Sequence, residues 1–292
     1  MSQFFHKLWP KKLFFLIDEW MKISDYNIGF IGFGHMAEVI FKAIDAARLV
    51  PRHQISFVRR DPGKMKEDEK KYGITSTSLE NLTKKSELIL LCVRPNQAEA
   101  VLKDLQKIGV ESKMIVSILA GTKLSFFQKY LGPKTELLRV MPNLASAVGE
   151  GMSVFTYGPH ASAEFKSMTH LLFSNMGQVI EVPENLMDIS CGIAGSGPGF
   201  VFRLIEAMAR EGEKQGLSYE KALKMAAQTF LGAAKVILKG GVPEILIQQI
   251  ATPNGTTEAG FKMMKATEIE KHYQSVVDAS AKRSKELSEQ YS

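Results

Sequence analysis

The length, composition and charge of the chain set the first limits on what the protein can be. Its 292 residues are 45% hydrophobic and 23% charged, which is the composition of a globular protein with one large domain or two ordinary ones. The net charge of +6 is spread among acidic residues without a dense basic block, and the two cysteines and six histidines form no zinc or disulfide motif. Nucleic-acid binding and a metal site are therefore not expected.

The first 21 residues are predicted to be an N-terminal extension. Residues 1–21 are aromatic and basic, but they lack the long apolar core and the cleavage site of a signal peptide. Two alternatives stay open: Met21 is the native start, or the segment is an amphipathic stretch that lies on a membrane surface. No apolar run in the chain reaches the roughly 18 residues of a membrane helix. We expect a cytoplasmic protein without an integral membrane segment.

A glycine-rich loop follows the first predicted strand, Asn27 to Ile31. Gly32 allows a tight turn, Gly34 leaves room for a pyrophosphate beside the backbone, and Ala37 lets the next helix pack against the strand. The helix directs its free N–H groups and positive dipole end at phosphate. His35 is expected to contribute its backbone while its imidazole faces solvent. The predicted cofactor-binding residues of this loop are Gly32, Gly34, His35, Met36 and Ala37.

Two arginines follow the second predicted strand, Ile55 to Val58. The planar guanidinium groups of Arg59 and Arg60 suit the 2′-phosphate of NADP, so NADPH is favoured as the cofactor. NADH stays possible because Asp61 is near the position where an NAD site places an acid. The alternative for both arginines is a solvated loop without a ligand.

Strands and helices alternate as far as Pro183. Leu88 to Val93 and Met114 to Leu119 are continuous apolar runs, as buried parallel strands require, and Cys92 is expected to pack in the core. A helix is predicted from Gln97 to Lys107. Later strands are predicted at Glu136–Met141, Met152–Tyr157 and Gln178–Val182. The pattern predicts an α/β protein whose residues 22–183 form a Rossmann-type, doubly wound sheet that binds a dinucleotide.

After residue 183 only helices are predicted. One covers Gly199 to Gln215, and another extends from an N-cap at Ser218 to Leu238. The second helix is apolar around much of its circumference, so it needs burial on several sides. A small helical domain can hardly supply that alone. We therefore predict that residues 184–292 form an all-α substrate and dimerisation domain.

A second glycine-bearing loop, Thr252 to Thr257, opens a helix near the end of the chain. Its N–H donors suit the carboxylate of a small acid. Asn254 tolerates a positive φ better than most residues and is expected to preserve the turn. Thr256 or Thr257 could instead be a helix N-cap. With one such loop at each end, the chain is predicted to be a two-domain reductase with its active site in the seam.

These motifs, taken in order, resemble those of the pyrroline-5-carboxylate reductase family from about Lys22 to about Leu287. The order makes the resemblance specific. Beyond the two loops, the matching segments are Val93-Arg94-Pro95-Asn96, Ser117-Ile118-Leu119-Ala120-Gly121, Arg139-Val140-Met141-Pro142-Asn143, Gly195-Ser196-Gly197-Pro198 and Ala279 to Leu287.

The resemblance implies reduction of 1-pyrroline-5-carboxylate to L-proline with NAD(P)H, the last step of proline biosynthesis. It also implies an intertwined helical homodimer, often assembled further into rings. Thr257 would be the catalytic hydroxyl that meets the imine or amine nitrogen, while Lys235 would have a structural or surface role. Further cofactor-binding residues would be Val93, Arg94, Pro95, Ala120, Gly121, Pro142 and Asn143. The substrate-binding residues would be Asn254, Gly255, Thr256, Thr257, Ser196 and Pro198.

Four positions depart from the family pattern: Leu144, Cys191, Gly199 and Asn254. Several of them lie near the expected substrate pocket, so they leave substrate identity and efficiency open. One alternative is a paralogous NADP-dependent imine or hydroxyacid dehydrogenase with another substrate. The other is a non-catalytic NADP-binding protein with a regulatory or assembly role.

Overall fold

A computed structural model of the protein describes residues 23–290; the predicted extension, residues 1–21, lies outside the described residues. The described strands form one mixed sheet in the order β3-β2-β1-β4-β5-β6-β7-β8. They are β1 (Ile28–Ile31), β2 (Ile55–Val58), β3 (Thr75–Ser76), β4 (Leu88–Leu91), β5 (Met114–Ser117), β6 (Glu136–Met141), β7 (Gly151–Tyr157) and β8 (Gly177–Glu181).

Helices cover most of the remaining described chain. They are α1 (His35–Ala46), α2 (Pro62–Tyr72), α3 (Leu79–Lys85), α4 (Pro95–Ile108), α5 (Leu124–Leu131), α6 (Ala163–Ser174), α7 (Met187–Ser190), α8 (Gly197–Lys214), α9 (Tyr219–Leu238), α10 (Pro243–Ile250), α11 (Thr256–Ala266) and α12 (Ile269–Gln290). Short 3₁₀ turns lie at Arg52–Gln54, Leu144–Val148 and Glu184–Leu186, and a π-helix lies at Cys191–Gly195. None of the described helices is long and apolar enough to cross a membrane.

Strands β1 to β6 are all parallel to one another, whereas β7 pairs antiparallel with β6. A parallel return needs a crossover of about a dozen residues or more. Only residues 142–150 separate β6 from β7, so the chain reverses there. Helix α6 then provides the longer connection that sets β8 parallel to β7.

The sheet has the strand order of a dinucleotide-binding fold. The chain moves outward from β1 to β2 and β3, then returns to the other side of β1 to form β4. Crossovers that diverge at this point leave a crevice at the carboxyl ends of the central strands. The predicted Rossmann-type doubly wound sheet, followed by a helical domain, is confirmed.

Continuous apolar strands arise because both faces of the sheet are covered by helices. In β4, Leu88 and Leu90 join the core on one face, while Ile89 and Leu91 join the core on the other. The predicted strand from Leu88 ends at Leu91. Cys92 packs against the first of these cores, as predicted, and removal from water raises the pKa of its thiol.

The described chain divides into two compact units. One comprises residues 23–195 together with 281–290, and the other comprises residues 196–280. The domain boundary predicted from the sequence lies between residues 183 and 184 instead, because the sequence pattern changes where the last predicted strand ends. The end of α12 belongs to the first unit, where the hydroxyls of Ser284 and Ser288 donate to Oδ1 of Asp188 at 2.7 and 3.1 Å.

The second unit has almost no interior of its own. Its only buried residues are Ala209, Ala222 and Ala226, where α8 and α9 pack closely. A Cβ on Gly212 would lie 2.9 Å from that of Ala222, so the helix pair needs the glycine. Large apolar side chains are exposed along α8 to α12, among them Phe202, Met225, Leu231, Leu238, Ile245, Ile250 and Met263. Such a surface requires a partner, as the sequence predicted for α9.

Candidate active site

A cleft of about 470 Å³ opens where β1, β2 and β4 end. It is lined by residues at the ends of these strands and on helices α2 to α4: Ile31, Gly32, Phe33, Gly34, Val58, Arg59, Arg60, Asp61, Lys64, Leu79, Cys92, Val93, Arg94, Gln97, Ala100 and Val101. Ligands of open α/β sheets bind at this switch point. The cleft is therefore the candidate nucleotide site.

The two glycines of the first loop have different reasons to be glycine. Gly32 has a φ of +86°, and a Cβ on it would lie 2.8 Å from the carbonyl carbon and oxygen of Cys92. Its backbone thus has to pass close to the end of β4. A Cβ on Gly34 would meet no protein atom within 4 Å. The protein fold leaves the space beside Gly34 open, as expected if a ligand approaches the backbone there.

Helix α1 begins directly behind this space. Gly34 is its N-cap in an extended conformation and provides no side-chain cap. The first bond within the helix is from Glu38 N–H to the Gly34 carbonyl at 2.9 Å, so the N–H groups of the preceding turn are available to an anion. His35 is exposed and Ala37 is buried, as predicted from the motif. Met36 is partly buried against the core.

An acidic side chain fixes α1 against the end of α2. Hydrogen bonds from Lys42 and Tyr72 lower the pKa of Glu38 to about 2, and Lys71 of α2 lies 3.6 Å from the same carboxylate. Glu38 is therefore ionised at any pH near neutrality. It acts as a fixed charge that orients α1, and it has no proton to give to a substrate.

The positive charges at the cleft differ in how they are held. Arg59 forms an ion pair with Asp68 of α2. Asp61 caps α2 by accepting from the N–H groups of Gly63 and Lys64 at 2.9 and 3.2 Å. Within residues 23–290, the side chains of Arg60, Lys64 and Arg94 make no ion pair or hydrogen bond. These three cationic side chains can bind the phosphate groups of a dinucleotide.

The open guanidinium of Arg60 leads to a test of coenzyme preference. We expect Arg60→Ala to weaken NADPH binding by about tenfold or more, because a hydrogen bond to a charged group contributes roughly 1.5–3 kcal/mol. NADH lacks the 2′-phosphate and should bind equally to parent and variant. Fluorescence titration with both coenzymes measures the change. Lys66→Ala removes a cation from α2 that does not line the cleft, and an equal loss there would assign the effect to general charge.

The cleft brings together part of the predicted cofactor set: Gly32, Gly34, Arg59, Arg60, Val93 and Arg94. The other predicted residues lie outside its lining: His35, Met36, Ala37, Pro95, Ala120, Gly121, Pro142 and Asn143. Pro95 begins α4. Gly121 has a φ of +64°, and a Cβ on it would lie 2.8 Å from the Cβ of Leu287, so the close approach of α12 already requires a glycine.

Asn143 uses its amide inside the protein. Its Nδ2 donates to the Ala194 carbonyl of the π-helix at 3.0 Å, and its Oδ1 accepts from Ala145 and Met152 N–H at 3.2 and 3.3 Å. The side chain is buried and ties the turn after β6 to the start of β7 and to the π-helix. Cofactor binding by Asn143 stays a prediction. Because the side-chain amide is already engaged, the backbone of Asn143 would have to provide the contact.

Lys64 is a cleft residue that the sequence reasoning missed. It lies in the first turn of α2, three residues after the capping Asp61. The available sequence signal was a third cationic residue four positions after Arg60, which could have been added to the predicted phosphate-binding residues. Leu79 and Gln97 were also missed; they reach the cleft from the first turns of α3 and α4. No motif marks them, because their place depends on the crossover helices.

The second glycine loop is a tight turn that leads into α11. Asn254 has a φ of +59°, so the predicted positive φ is confirmed. The N–H of Gly255 donates to the Thr252 carbonyl at 2.9 Å, and a Cβ on Gly255 would lie 2.4 Å from Oγ1 of Thr252. Asparagine thus serves where a left-handed residue is needed, and glycine where the turn closes on itself.

The structure tests the capping interpretation of the two threonines. The N-cap of α11 is Gly255, and no side chain caps the helix. The alternative that Thr256 or Thr257 is the N-cap is therefore wrong. In the described part of the chain, the half-buried hydroxyl of Thr257 has no hydrogen-bond partner. It is available to a ligand.

Two other predicted substrate-binding residues of the second unit already have hydrogen-bond partners. The Asn254 N–H donates to Oε2 of Glu258 at 2.7 Å, so one predicted substrate donor is occupied by a side chain of the same helix. The hydroxyl of Ser196 accepts a hydrogen bond from that of Ser280 at 2.9 Å. Pro198 lies at the start of α8, where its missing N–H costs nothing. Substrate binding by these residues stays a prediction.

Comparison with protein families agrees with this architecture. Residues 184–287 match the family model for pyrroline-5-carboxylate reductase dimerisation. Residues 27–121 match a model described as NADP oxidoreductase, coenzyme F420-dependent. The chain therefore contains a nucleotide-binding oxidoreductase domain followed by a dimerisation domain.

Known relatives extend over nearly the whole chain. Pyrroline-5-carboxylate reductase 1 of Bacillus subtilis (strain 168) is 36% identical over 275 residues, which are 93% of each chain. The solved pyrroline-5-carboxylate reductase of Coxiella burnetii has a TM-score of 0.82 and 28% identity, covering 90% of this chain and 98% of that one. The Plasmodium falciparum enzyme, solved with NADP bound, shares the fold with a TM-score of 0.81 at 24% identity, covering 91% and 99%. The chain belongs to the pyrroline-5-carboxylate reductase family.

Proposed function

We propose that the protein reduces 1-pyrroline-5-carboxylate to L-proline with NADPH, as the last step of proline biosynthesis. As a member of its family it is an NAD(P)H-dependent oxidoreductase that acts on a cyclic imine. The observation that carries the proposal is the cleft at the carboxyl ends of β1, β2 and β4, with an open space at Gly34 and three cations, Arg60, Lys64 and Arg94, that make no ion pair within residues 23–290. The cytoplasmic location stays a prediction from the sequence.

The residues present fit an NADP molecule. The open space at Gly34 and the free N–H groups of α1 suit a pyrophosphate. Arg60 and Lys64, both without an ion pair in residues 23–290, suit the additional 2′-phosphate. Asp61 is occupied as the cap of α2, which reduces its availability to an NAD ribose. These observations favour NADPH over NADH.

The substrate carboxylate needs hydrogen-bond donors, and backbone N–H groups can serve without being ionisable. The first N–H groups of α11 have no partner within the helix, and its positive dipole end favours an anion. We assign carboxylate binding to the N–H groups of Thr256 and Thr257 with the Gly255 turn. The Thr257 hydroxyl is assigned to the ring nitrogen, because a hydroxyl can accept from a protonated imine and donate to an amine.

This chemistry makes few demands on acids and bases. Bound NADPH would supply the hydride, and the imine carbon becomes electrophilic once its nitrogen is protonated. The protein then has to position the substrate, exclude water and hold a proton at the nitrogen, which is the role assigned to Thr257. Glu38 of α1 stays ionised and Cys92 of the cleft stays protonated, so neither exchanges a proton in the neutral range. Neither residue is therefore a candidate for the acid that protonates the imine.

We propose a homodimer as the working form. The second unit buries only alanines and exposes large apolar side chains along α8 to α12. Residues 184–287 match the dimerisation model. The expected result of light scattering at micromolar concentration is a mass of at least two chains, and assembly of dimers into rings would give a larger multiple. A single monodisperse monomer would contradict the proposal.

A direct assay tests the reaction. The purified chain is incubated with 1-pyrroline-5-carboxylate and NADPH. Oxidation of NADPH is followed by the loss of its nicotinamide absorbance at ~340 nm, and the product is identified as proline. Complementation of a proline auxotroph tests the same activity in cells. Turnover on another cyclic imine or a hydroxyacid, but not on this substrate, would favour a paralogous dehydrogenase. Tight NADPH binding without turnover on any of them would favour a non-catalytic role.

A further inference from the structure

A second cavity, of about 530 Å³, lies in the first compact unit, away from the cleft described above. It is bounded by the start of α5, strand β6, the turn before α7 and the end of α12. Its charged lining consists of Lys123, Arg139, Glu184, Asp188, Lys282 and Lys285, which we call the basic cavity. No role in NADP or imine binding has been assigned to these residues.

Arg139 is the deepest charge of the basic cavity. Its side chain on β6 is only 5% exposed, and its Nη1 lies 3.2 Å from Oε1 of Glu184. The same oxygen accepts the Leu124 N–H at 2.7 Å. Within residues 23–290 the guanidinium makes no other hydrogen bond, although it carries five donors. Its other donors are not sealed from water, so they can donate to water or to an anion in the cavity.

The balance of charge favours an anion. The lining has four cationic and two anionic side chains, but Lys282 has a partner of its own, so the other three cations exceed the carboxylates by one. Both carboxylates are engaged: Glu184 by Arg139 and Leu124, and Asp188 by the hydroxyls of two serines of α12. Lys123 and Lys285 have no ion pair in the part of the chain that the structure describes. Their charges are therefore free for a ligand.

We propose that the basic cavity binds the phosphate group of a small phosphomonoester, held by Arg139, Lys123 and Lys285. Three cationic side chains attract an anion, and planar guanidinium donors suit phosphate oxygens. The volume falls within the roughly 300–1,000 Å³ of small-molecule sites, so it accepts more than a bare ion. The site is separate from the proposed reaction, and its occupation does not require turnover.

Calorimetric titration of the full chain tests this assignment. Saturating NADP⁺ is present throughout, so that added phosphate cannot enter the nucleotide cleft. The probes are inorganic phosphate, glycerol 3-phosphate and, as the uncharged counterpart, glycerol. We expect the first two to bind and glycerol to show no binding. Lys123→Gln and Lys285→Gln should each weaken phosphate binding by about fivefold, as loss of a partly exposed ion pair does.

Two further variants keep the proposal falsifiable. The double variant should lose more affinity than either single variant, up to about 25-fold, because the two lysines share one ligand and their contributions need not add in full. Lys134→Gln makes the same charge change on an exposed loop outside the basic cavity and should bind phosphate like the parent. Equal affinity in the parent and the double variant, or an equal loss in Lys134→Gln, would identify an adventitious ion only and overturn the site. Binding of inorganic phosphate but not glycerol 3-phosphate would overturn the phosphomonoester assignment.

Discussion

Gly34→Val is expected to abolish NADPH binding while leaving the protein folded. A Cβ at this position meets no protein atom within 4 Å, so the substitution does not disturb the core. Its φ of −98° is also accessible to valine. The added methyl groups would instead fill the space beside the free N–H groups of α1, where a pyrophosphate must approach the backbone. Fluorescence titration should show no saturable binding, with a melting temperature close to that of the parent.

Gly32→Ala provides the matched comparison in the same loop. Here a Cβ would lie 2.8 Å from the backbone of Cys92, and the φ of +86° is strained for alanine. Left-handed backbone alone costs about 1–2 kcal/mol, so this variant should melt several degrees lower. If Gly34→Val titrates with NADPH like the parent, the first loop is not the nucleotide site. If it melts as low as Gly32→Ala, loss of fold explains the lost binding.

Local patterns were sufficient to predict most of the first unit. The apolar runs of β1 and β4, and the glycine spacing between β1 and α1, depend on residues that are neighbours in sequence. The positive φ of Asn254 is likewise a property of one turn. Such features follow from the sequence because few distant contacts can override them.

Features that depend on distant partners could not be predicted in the same way. Asp68 on α2 holds Arg59, which leaves Arg60 as the open arginine of the pair. The end of α12 belongs to the first unit because Ser284 and Ser288 bond to Asp188, about a hundred positions earlier in the chain. β3 was missed because two residues at a sheet edge carry no periodic signal. For Arg59 and for the end of α12, the deciding contact spans elements whose packing has first to be known.

Thr257→Val is expected to lower imine reduction by about one to two decades, with NADPH affinity nearly unchanged. Valine keeps most of the shape of threonine but removes the hydroxyl assigned to the ring nitrogen. A hydrogen bond to a charged group contributes about 1.5–3 kcal/mol, which corresponds to this loss in rate. Since the bond is assigned to the nitrogen that changes from imine to amine, kcat should fall as well as kcat/KM. Steady-state kinetics and coenzyme titration on one preparation measure both.

Stability separates this role from a structural one. The N-cap of α11 is Gly255, and the Thr257 hydroxyl has no partner in residues 23–290, so its removal should barely change the melting temperature. Thr267→Val is the control at the other end of α11, where the hydroxyl donates to the Met263 carbonyl at 2.9 Å. That variant should lose about 0.5–1.5 kcal/mol of stability, the usual contribution of one hydrogen bond, but keep its activity per folded molecule. Normal kinetics in Thr257→Val, or a loss of activity that only parallels a loss of stability, would remove Thr257 from the mechanism.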